Sequence, residues 1–553
     1  MPENSKGNGK DAQLARQQLR RQLSQLPPRK RMDALIESSD ARAVVRSLSA
    51  EELYSTIQEV GLVDSTELVQ LASPTQFRAF VDLGAWKRDR IDSHSVLTWL
   101  RAARGDEPEE FLRKLHGMDL EVLEVLLREF TAMHDLEENP DVNPEGVTLE
   151  TPEGRYLIEL KVEGVEQAAL RAILNDLIAE NPFEAVRLME ATRWEVPSEL
   201  EETAYRFRTS RLQDLGFPTL ENAMRIFSRV DTGPAPARSA QTALATAQGH
   251  VDYLDAALRG LSDVERENLE DELRGVANAA LVAELADPGD LEAVRRVGEM
   301  VRDYLSLGLE HLTGSEPARA AEVVRETRLE RVFQVGFSLT LALKYRADRL
   351  VKAPMARLDD TLLVFPEEAA AIEALRLKRP RRAMRVPGAE PMPFRSLREI
   401  AASEALLERA ARQLEMFRGL LGGTEAAARE LLARFGVALS VLGVERLFTA
   451  AVAMAVLEGR VDPRPVPLGR TVELCERLFE CPAQAPRLRP SAAERARAAL
   501  EPAVASESRP ELRRLVDITL ERMLGELAAP YLQEGRLDPT LSVVLPMEGT
   551  PTP

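Results

Sequence analysis

The residues that most often carry chemistry are scarce in this chain. Its 553 residues include two cysteines, Cys475 and Cys481, and five histidines. Two thiols so close together cannot staple so long a chain, which excludes a disulfide framework and implies a reduced compartment. No histidine lies near them, which excludes a zinc site and leaves both thiols a structural role. Aromatic residues make up only 5%. Long apolar runs are missing too. The most apolar stretch, residues 448–459, follows Glu445 and Arg446 and falls short of the ~20 residues a membrane helix needs, so it reads as a fully buried helix. The first residues lack the apolar stretch of a secretory signal. Positive charge is outnumbered, and the net charge of -18 disfavours nucleic acid and anionic membrane as partners. Catalytic grammar is absent as well, with no phosphate-binding glycine loop, nucleophile elbow or His-Glu-x-x-His pair. The expectation is a cytoplasmic protein without membrane insertion, and catalysis is not the leading expectation.

What is abundant is helix-forming. Ala, Leu, Glu and Arg dominate, which predicts a mostly all-α chain, and the length predicts two to four domains or a repeat array. A repeat is present at a spacing of 24 residues. Asp40, Val44, Val45 and Leu48 are matched by Asp64, Leu68, Val69 and Ala72. Ser49 with Glu52 is matched by Ser73 with Gln76. Each pair is a capping box, in which the serine oxygen takes the N3 amide and the N3 side chain reaches back. Leu53, Ile57 and Val60, then Phe77, Val81 and Gly84, mark one face of the helix that each box opens. A looser third copy runs from Asp92 through Val96, Leu97, Pro108, Phe111, Leu115 and Met118. Helical pairs of this kind bury a core only together, so a solenoid-like N-terminal block is predicted.

Along the chain, residues 1–35 read as a disordered tip and an Arg- and Gln-rich helix ended by Pro27 and Pro28, and 36–133 as the helical-pair block. Residues 134–164 break the pattern with an acidic loop and one inserted β-hairpin. There Tyr156, Ile158, Leu160 and Val162 alternate with Leu157, Glu159 and Lys161, and Thr151-Pro152-Glu153-Gly154 forms a type I turn. No other strand pair is expected. A helical block spans 165–230, with helix starts at Asn181 and Ser198, followed by a linker at 231–240. Then come a helical domain at 241–377, an irregular basic Pro-rich segment at 378–395, a helical domain at 396–537 opened by Ser396 and Glu399, and a flexible tail at 538–553.

Three patterns bear on chemistry. His94, followed later by the dipeptide His134-Asp135 on a helical background, is similar to the arrangement in metal-dependent phosphohydrolases of the HD type, where imidazole and carboxylate hold a metal and activate water. The acidic run of Asp135, Glu137, Glu138, Asp141 and Glu145 offers carboxylates for Mg²⁺, with His134, Asp135, Glu138 and Asp141 as the candidate ligands. The basic clusters at 27–31 and 378–385 lack interleaved aromatics, and docking onto the chain's own acidic helices is the expected role.

Two stretches carry a family resemblance: "LASPTQFRAFVDLGAWKRDRID" at 71–92 and "RWEVPSELEETAYRFRTSRLQDLGFPTLENAMRIF" at 193–227. They resemble a bacterial family catalogued as domain of unknown function six-one-seven-eight, through Trp194, Pro197, Tyr205, Arg211, Gly216, Phe217 and Pro218 in particular. The resemblance extends over most of the chain and implies no activity. Separately, the capped pairs at 40–84 resemble the N-terminal superhelical domain of bacterial magnesium transporters, which implies a scaffold and a link to Mg²⁺ sensing, without transport.

The first stretch ends in "LGAWKRDRID". The repeat places Asp92 where Asp40 and Asp64 stand, at the N-cap of the next helix, and Gly84 at the end of the previous one in a left-handed conformation. Trp86 is then expected to plug the seam between helical pairs, its indole N–H needing an acceptor, with Arg88, Asp89 and Arg90 holding the corner by local ion pairs. In the second stretch Glu201, Tyr205 and Arg208 share one helical face and shape a groove. Trp86, Arg88, Tyr205 and Arg208 are therefore the candidate partner-binding residues. The leading expectation is a helical scaffold that binds another protein, without a cofactor. The alternatives are an HD-like phosphohydrolase using His134 and Asp135, and a magnesium-responsive regulator.

Overall fold

A computed structural model describes residues 23, 26–38, 40–194, 196–234, 251–384, 386, 388–480, 486–534, 537 and 543–548. The fold is mostly α-helical, with only a few short antiparallel strand pairs. The chain forms two compact units. One takes residues 1–226 and 267–301, the other 227–266 and 302–553. Residues 1–22, which hold most of the predicted N-terminal helix, and residues 235–240 of the predicted linker lie outside the described residues, as does Cys481.

In the first unit the repeat becomes a stack of short helices in which each packs against the next but one. Pro28–Ile36 meets Ala50–Val60, Ala50–Val60 meets Pro74–Gly84, and Pro74–Gly84 meets Pro108–His116. Both capping boxes are formed, with Glu52 N–H on Ser49 Oγ at 3.2 Å and Gln76 N–H on Ser73 Oγ at 3.2 Å. Gln76 has a second task that a glutamate could not perform. Its amide nitrogen donates to the Val45 and Leu48 carbonyls at 3.0 and 2.9 Å, closing the end of the preceding pair. The core is continuous through Leu53, Ile57, Phe77, Phe80, Trp99, Phe111 and Leu126. Tyr54, Phe80 and Trp99 stack within it at centroid separations of 5.5–6.3 Å.

Several local expectations are corrected. Pro28 opens a helix instead of ending one, consistent with its fixed φ at a first helical position. Asp64 is not a cap. Ser65 precedes the Thr66–Leu71 helix, and Asp64 pairs with Arg29 at 2.9 Å. Ser198 lies inside the helix that begins at Pro197. The hairpin is formed, with Gly154 N–H on Thr151 O at 2.8 Å, yet it is part of a three-stranded sheet. Thr131–Asp135 is a strand paired with Tyr156–Leu160 on the side opposite Val147–Glu150. His134 and Asp135 thus sit in a strand, not in a loop, because the third strand borrows the end of a helical run.

The second unit is built around Val444–Glu458, the apolar helix anticipated from sequence, in which residues 447–457 are all buried. Helices Thr471–Leu478, Pro490–Leu500 and Arg509–Glu534 surround it. Cys475 is buried there, and burial pushes its thiol up to about 12, which suits an inert packing residue. Elsewhere in this unit Gly308 lies against the Val332 carbonyl and Gly336 against the Tyr304 carbonyl, so two helices approach backbone to backbone. The described residues between 378 and 395 form no helix, and two of their cations serve the fold. Arg379 lies 3.4 Å from the Phe227 ring centre, and Arg382 pairs with Glu399 at 3.1 Å. The expected loose tail is corrected over residues 543–548. Val544, Leu545 and Met547 are buried, Val466 N–H donates to Pro546 O at 2.9 Å, and the Glu526 carboxylate accepts the Val543 and Val544 amides.

Candidate functional site

The segment after Gly84 turns sharply for a reason different from the one expected. Gly84 is the last residue of its helix and does not have a positive φ. A Cβ there would sit 2.8 Å from Tyr54 Oη and 3.0 Å from Trp99 Nε1, so close packing requires the glycine. Trp86–Lys87 then pairs with Arg90–Ile91 in a two-residue hairpin, with Arg88 at φ 64° in the turn. The corner is held by Lys87 and Asp92 at 2.7 Å, and among the described residues no ion pair joins Arg88, Asp89 or Arg90. Asp92 occupies the N-cap position, but its carboxylate accepts from Lys87 and the Ser95 hydroxyl instead of the helix amides. Burial opposes its ionisation, yet Lys87 and Ser95 hold its carboxyl below the ordinary range.

Trp86 is 4% exposed, and its indole N–H has no acceptor among the described residues. Its ring carries the Arg208 guanidinium at 5.0 Å and faces Tyr205 at 6.1 Å. Arg208 and Tyr205 come from the Pro197–Asp214 helix, which is docked by its next turn. Arg211 donates to both Asp82 oxygens at 2.7 and 2.9 Å and to both Asp119 oxygens at 3.0 and 2.5 Å. Arg208 Nε donates to the Asp82 carbonyl at 2.7 Å. Burial raises the Asp82 carboxyl above its ordinary value, against the pull of Arg211, and burial also lowers the basicity of Arg208. Just past the helix end Gly216 takes φ 85°, with Phe217 N–H on Leu212 O at 2.8 Å, and Asn278 donates to the Gly216 carbonyl.

These pieces enclose an open cleft of about 450 Å³ within the first unit. Trp86, Arg88, Tyr205 and Arg208, far apart in sequence, all line it, joined by Phe217 and Leu285. Sequence reasoning missed the contribution of residues 281–288. They fall inside the stretch read only as a helical domain, and nothing in the sequence signalled that Leu285 adopts φ 53° and stays 64% exposed at the cleft.

The candidate metal ligands are placed differently. Adjacent strand residues point to opposite faces, so His134 and Asp135 do not converge. His134 Nε2 meets Glu159 at 3.0 Å. Asp135 accepts from Arg155 at 3.0 Å, from Arg193 at 3.5 Å and from the Glu137 amide at 2.9 Å. Burial opposes its charge, but these donors keep its carboxyl below the ordinary range. Glu138 pairs with Arg193, and Asp141 is exposed. Tyr156, hydrogen-bonded to Glu190, is pushed up to about 12 by burial and that carboxylate. Among the described residues no group of three or more His, Cys, Asp or Glu is arranged to hold a metal ion.

A model described as a family of unknown function, DUF6178, matches residues 8–548. The chain belongs to this family. No curated protein and no solved structure matches it. In this family member, Tyr205, Phe217 and Pro218, which carried the resemblance, line the cleft, and Arg211 anchors its helix. Trp194 stands apart, 73% exposed beneath the Arg193 guanidinium. Among the described residues, no helix is long and apolar enough to cross a membrane.

Proposed function

We propose that this protein is a cytoplasmic helical scaffold that binds another protein, without a catalytic step, and that the cleft at Trp86 is the centre of its partner surface. The observation that carries this reading is the convergence of Trp86, Arg88, Tyr205 and Arg208 on one apolar cleft. A tryptophan, a tyrosine and an arginine packed against one another are the residue types that dominate protein–protein hot spots. Trp86 is rigid because it is buried, while Tyr205 is 38% exposed and Leu220 49% exposed, so the pocket has a fixed floor and an open rim. Exposed aromatic and aliphatic groups clustered at a concave site favour recognition over solvation.

Affinity purification of the tagged protein from its native cell tests this. The wild type should recover a partner in stoichiometric amount. The Arg88→Asn/Tyr205→Ala double variant, altered only at exposed side chains, should lose it without a change in melting temperature. Equal recovery by both proteins, or background alone from the wild type, would overturn the proposal.

A further inference from the structure

The polar groups of the cleft are unequally spent. Arg208 has five N–H donors, and the one hydrogen bond it makes to a described residue uses Nε, on the Asp82 carbonyl. The rest of its guanidinium is packed on the Trp86 ring, partly withdrawn from water and without a protein acceptor among the described residues. Arg88 stands exposed at the lip, held in the left-handed region by the hairpin, and makes no hydrogen bond or ion pair with a described residue. The third cation, Lys87, is engaged by Asp92. Two acids also line the cleft. Asp287 accepts the Gly289 amide on Oδ1 at 2.8 Å and its charge also acts on Arg208 and Lys87 without a hydrogen bond to either, while Asp89 sits in the hairpin turn. Arg88 and the terminal nitrogens of Arg208, which make no hydrogen bond to a described residue, therefore face this cavity in a chain whose net charge is -18. Below them the floor is apolar, formed by Leu83, Leu212, Phe217 and Val282.

From this we infer that the occupant of the cleft is an extended partner segment in which a large apolar side chain stands beside an aspartate or glutamate. The apolar side chain fills the floor, and the carboxylate takes the free edge of Arg208 and the charge of Arg88. Tyr205, Leu220 and Leu285 line the cavity yet stay exposed, so its apolar surface runs out to an open rim, which suits a continuing chain better than a compact ligand. The inference rests on the reading of the cleft as a partner site and specifies the chemistry of that partner.

A display library of random hexapeptides, selected against the full-length protein, tests both ideas separately. Selected sequences should place Leu, Ile or Phe within two positions of Asp or Glu. Their affinity should fall about tenfold or more in Arg208→Gln and should also fall in Arg88→Asn, which keeps a residue tolerant of the left-handed turn. Arg88→Asn, at an exposed side chain without a partner among the described residues, should melt as wild type, so that its loss of affinity is not a folding defect. Selected peptides that are apolar but neutral or basic, and bind both variants as well as wild type, would overturn the carboxylate inference while leaving the cleft as a binding site. Failure to select any sequence whose binding depends on Tyr205 would overturn the site reading as well.

Discussion

Replacing Arg211 by methionine should unlock the helix that carries Tyr205 and Arg208. Arg211 is 21% exposed, and its partners Asp82 and Asp119 are 3% and 11% exposed at the side chain, so the interaction is largely shielded from solvent. One guanidinium satisfies four carboxylate oxygens, with separations between 2.5 and 3.0 Å. Removing the cation leaves Asp82 buried without its charge partner, for which the cost is typically about 3–5 kcal/mol. At roughly 2–4 °C per kcal/mol, a loss of about 4 kcal/mol lowers the melting temperature by about 8–16 °C. The chain offers a selective probe, since its three tryptophans, Trp86, Trp99 and Trp194, all lie in the first unit, so their fluorescence follows that unit alone. Burial already raises the Asp82 carboxyl, so its ionisation costs stability as pH rises through the folded value. Without Arg211 that value rises further. The deficit of Arg211→Met should therefore shrink as the pH is lowered through it, and Asp82→Asn added to Arg211→Met should restore much of the loss. A single variant within about 1 kcal/mol of wild type, or a deficit that grows in acid, would refute the argument.

Three further outcomes are expected. Gly308→Ala or Gly336→Ala places a methyl on a backbone carbonyl and should cost about 3 kcal/mol or more, read by far-UV circular dichroism. Full retention of the melting temperature would show that the helices can part. Trp86→Ala removes a ring that is 4% exposed and should destabilise the first unit by about 3–5 kcal/mol as well as abolish partner binding. An unchanged urea midpoint would remove its structural role. Glu166, 2.9 Å from His94 Nδ1, raises the His94 pKa above its ordinary value, so the protonated ring stabilises the fold. That contribution, below about 1 kcal/mol for so exposed a pair, is full below about pH 6.5 and lost as pH rises through the folded value. His94→Gln should accordingly be less stable than wild type at about pH 6 and match it near pH 9, and the reverse trend in urea titrations would contradict the pairing.

Helices, capping boxes and the buried apolar helix were legible because each is local. Ser49 with Glu52 and Ser73 with Gln76 announce their caps within four residues, and residues 448–459 announce burial by composition. The Thr131–Asp135 strand was hidden because it directly follows Leu120–Phe130 and owes its extension to pairing with Tyr156–Leu160. At the site, the pattern supplied Trp86, Arg88, Tyr205 and Arg208 individually. It could not supply their meeting, which depends on Arg211 reaching Asp82 and Asp119 across more than ninety residues of chain. The Asp92 carboxylate shows the same limit, since the repeat identified its position while Lys87, two strands of a small hairpin away, determined its partner.

Hydrogen exchange of the isolated complex, measured against the free protein, tests the central claim most directly. The account predicts protection confined mainly to residues 86–91, 205–209, 217–220 and 281–288, the segments around the cleft. A stable complex that protects other surfaces and leaves these four segments exchanging as in the free protein would contradict it.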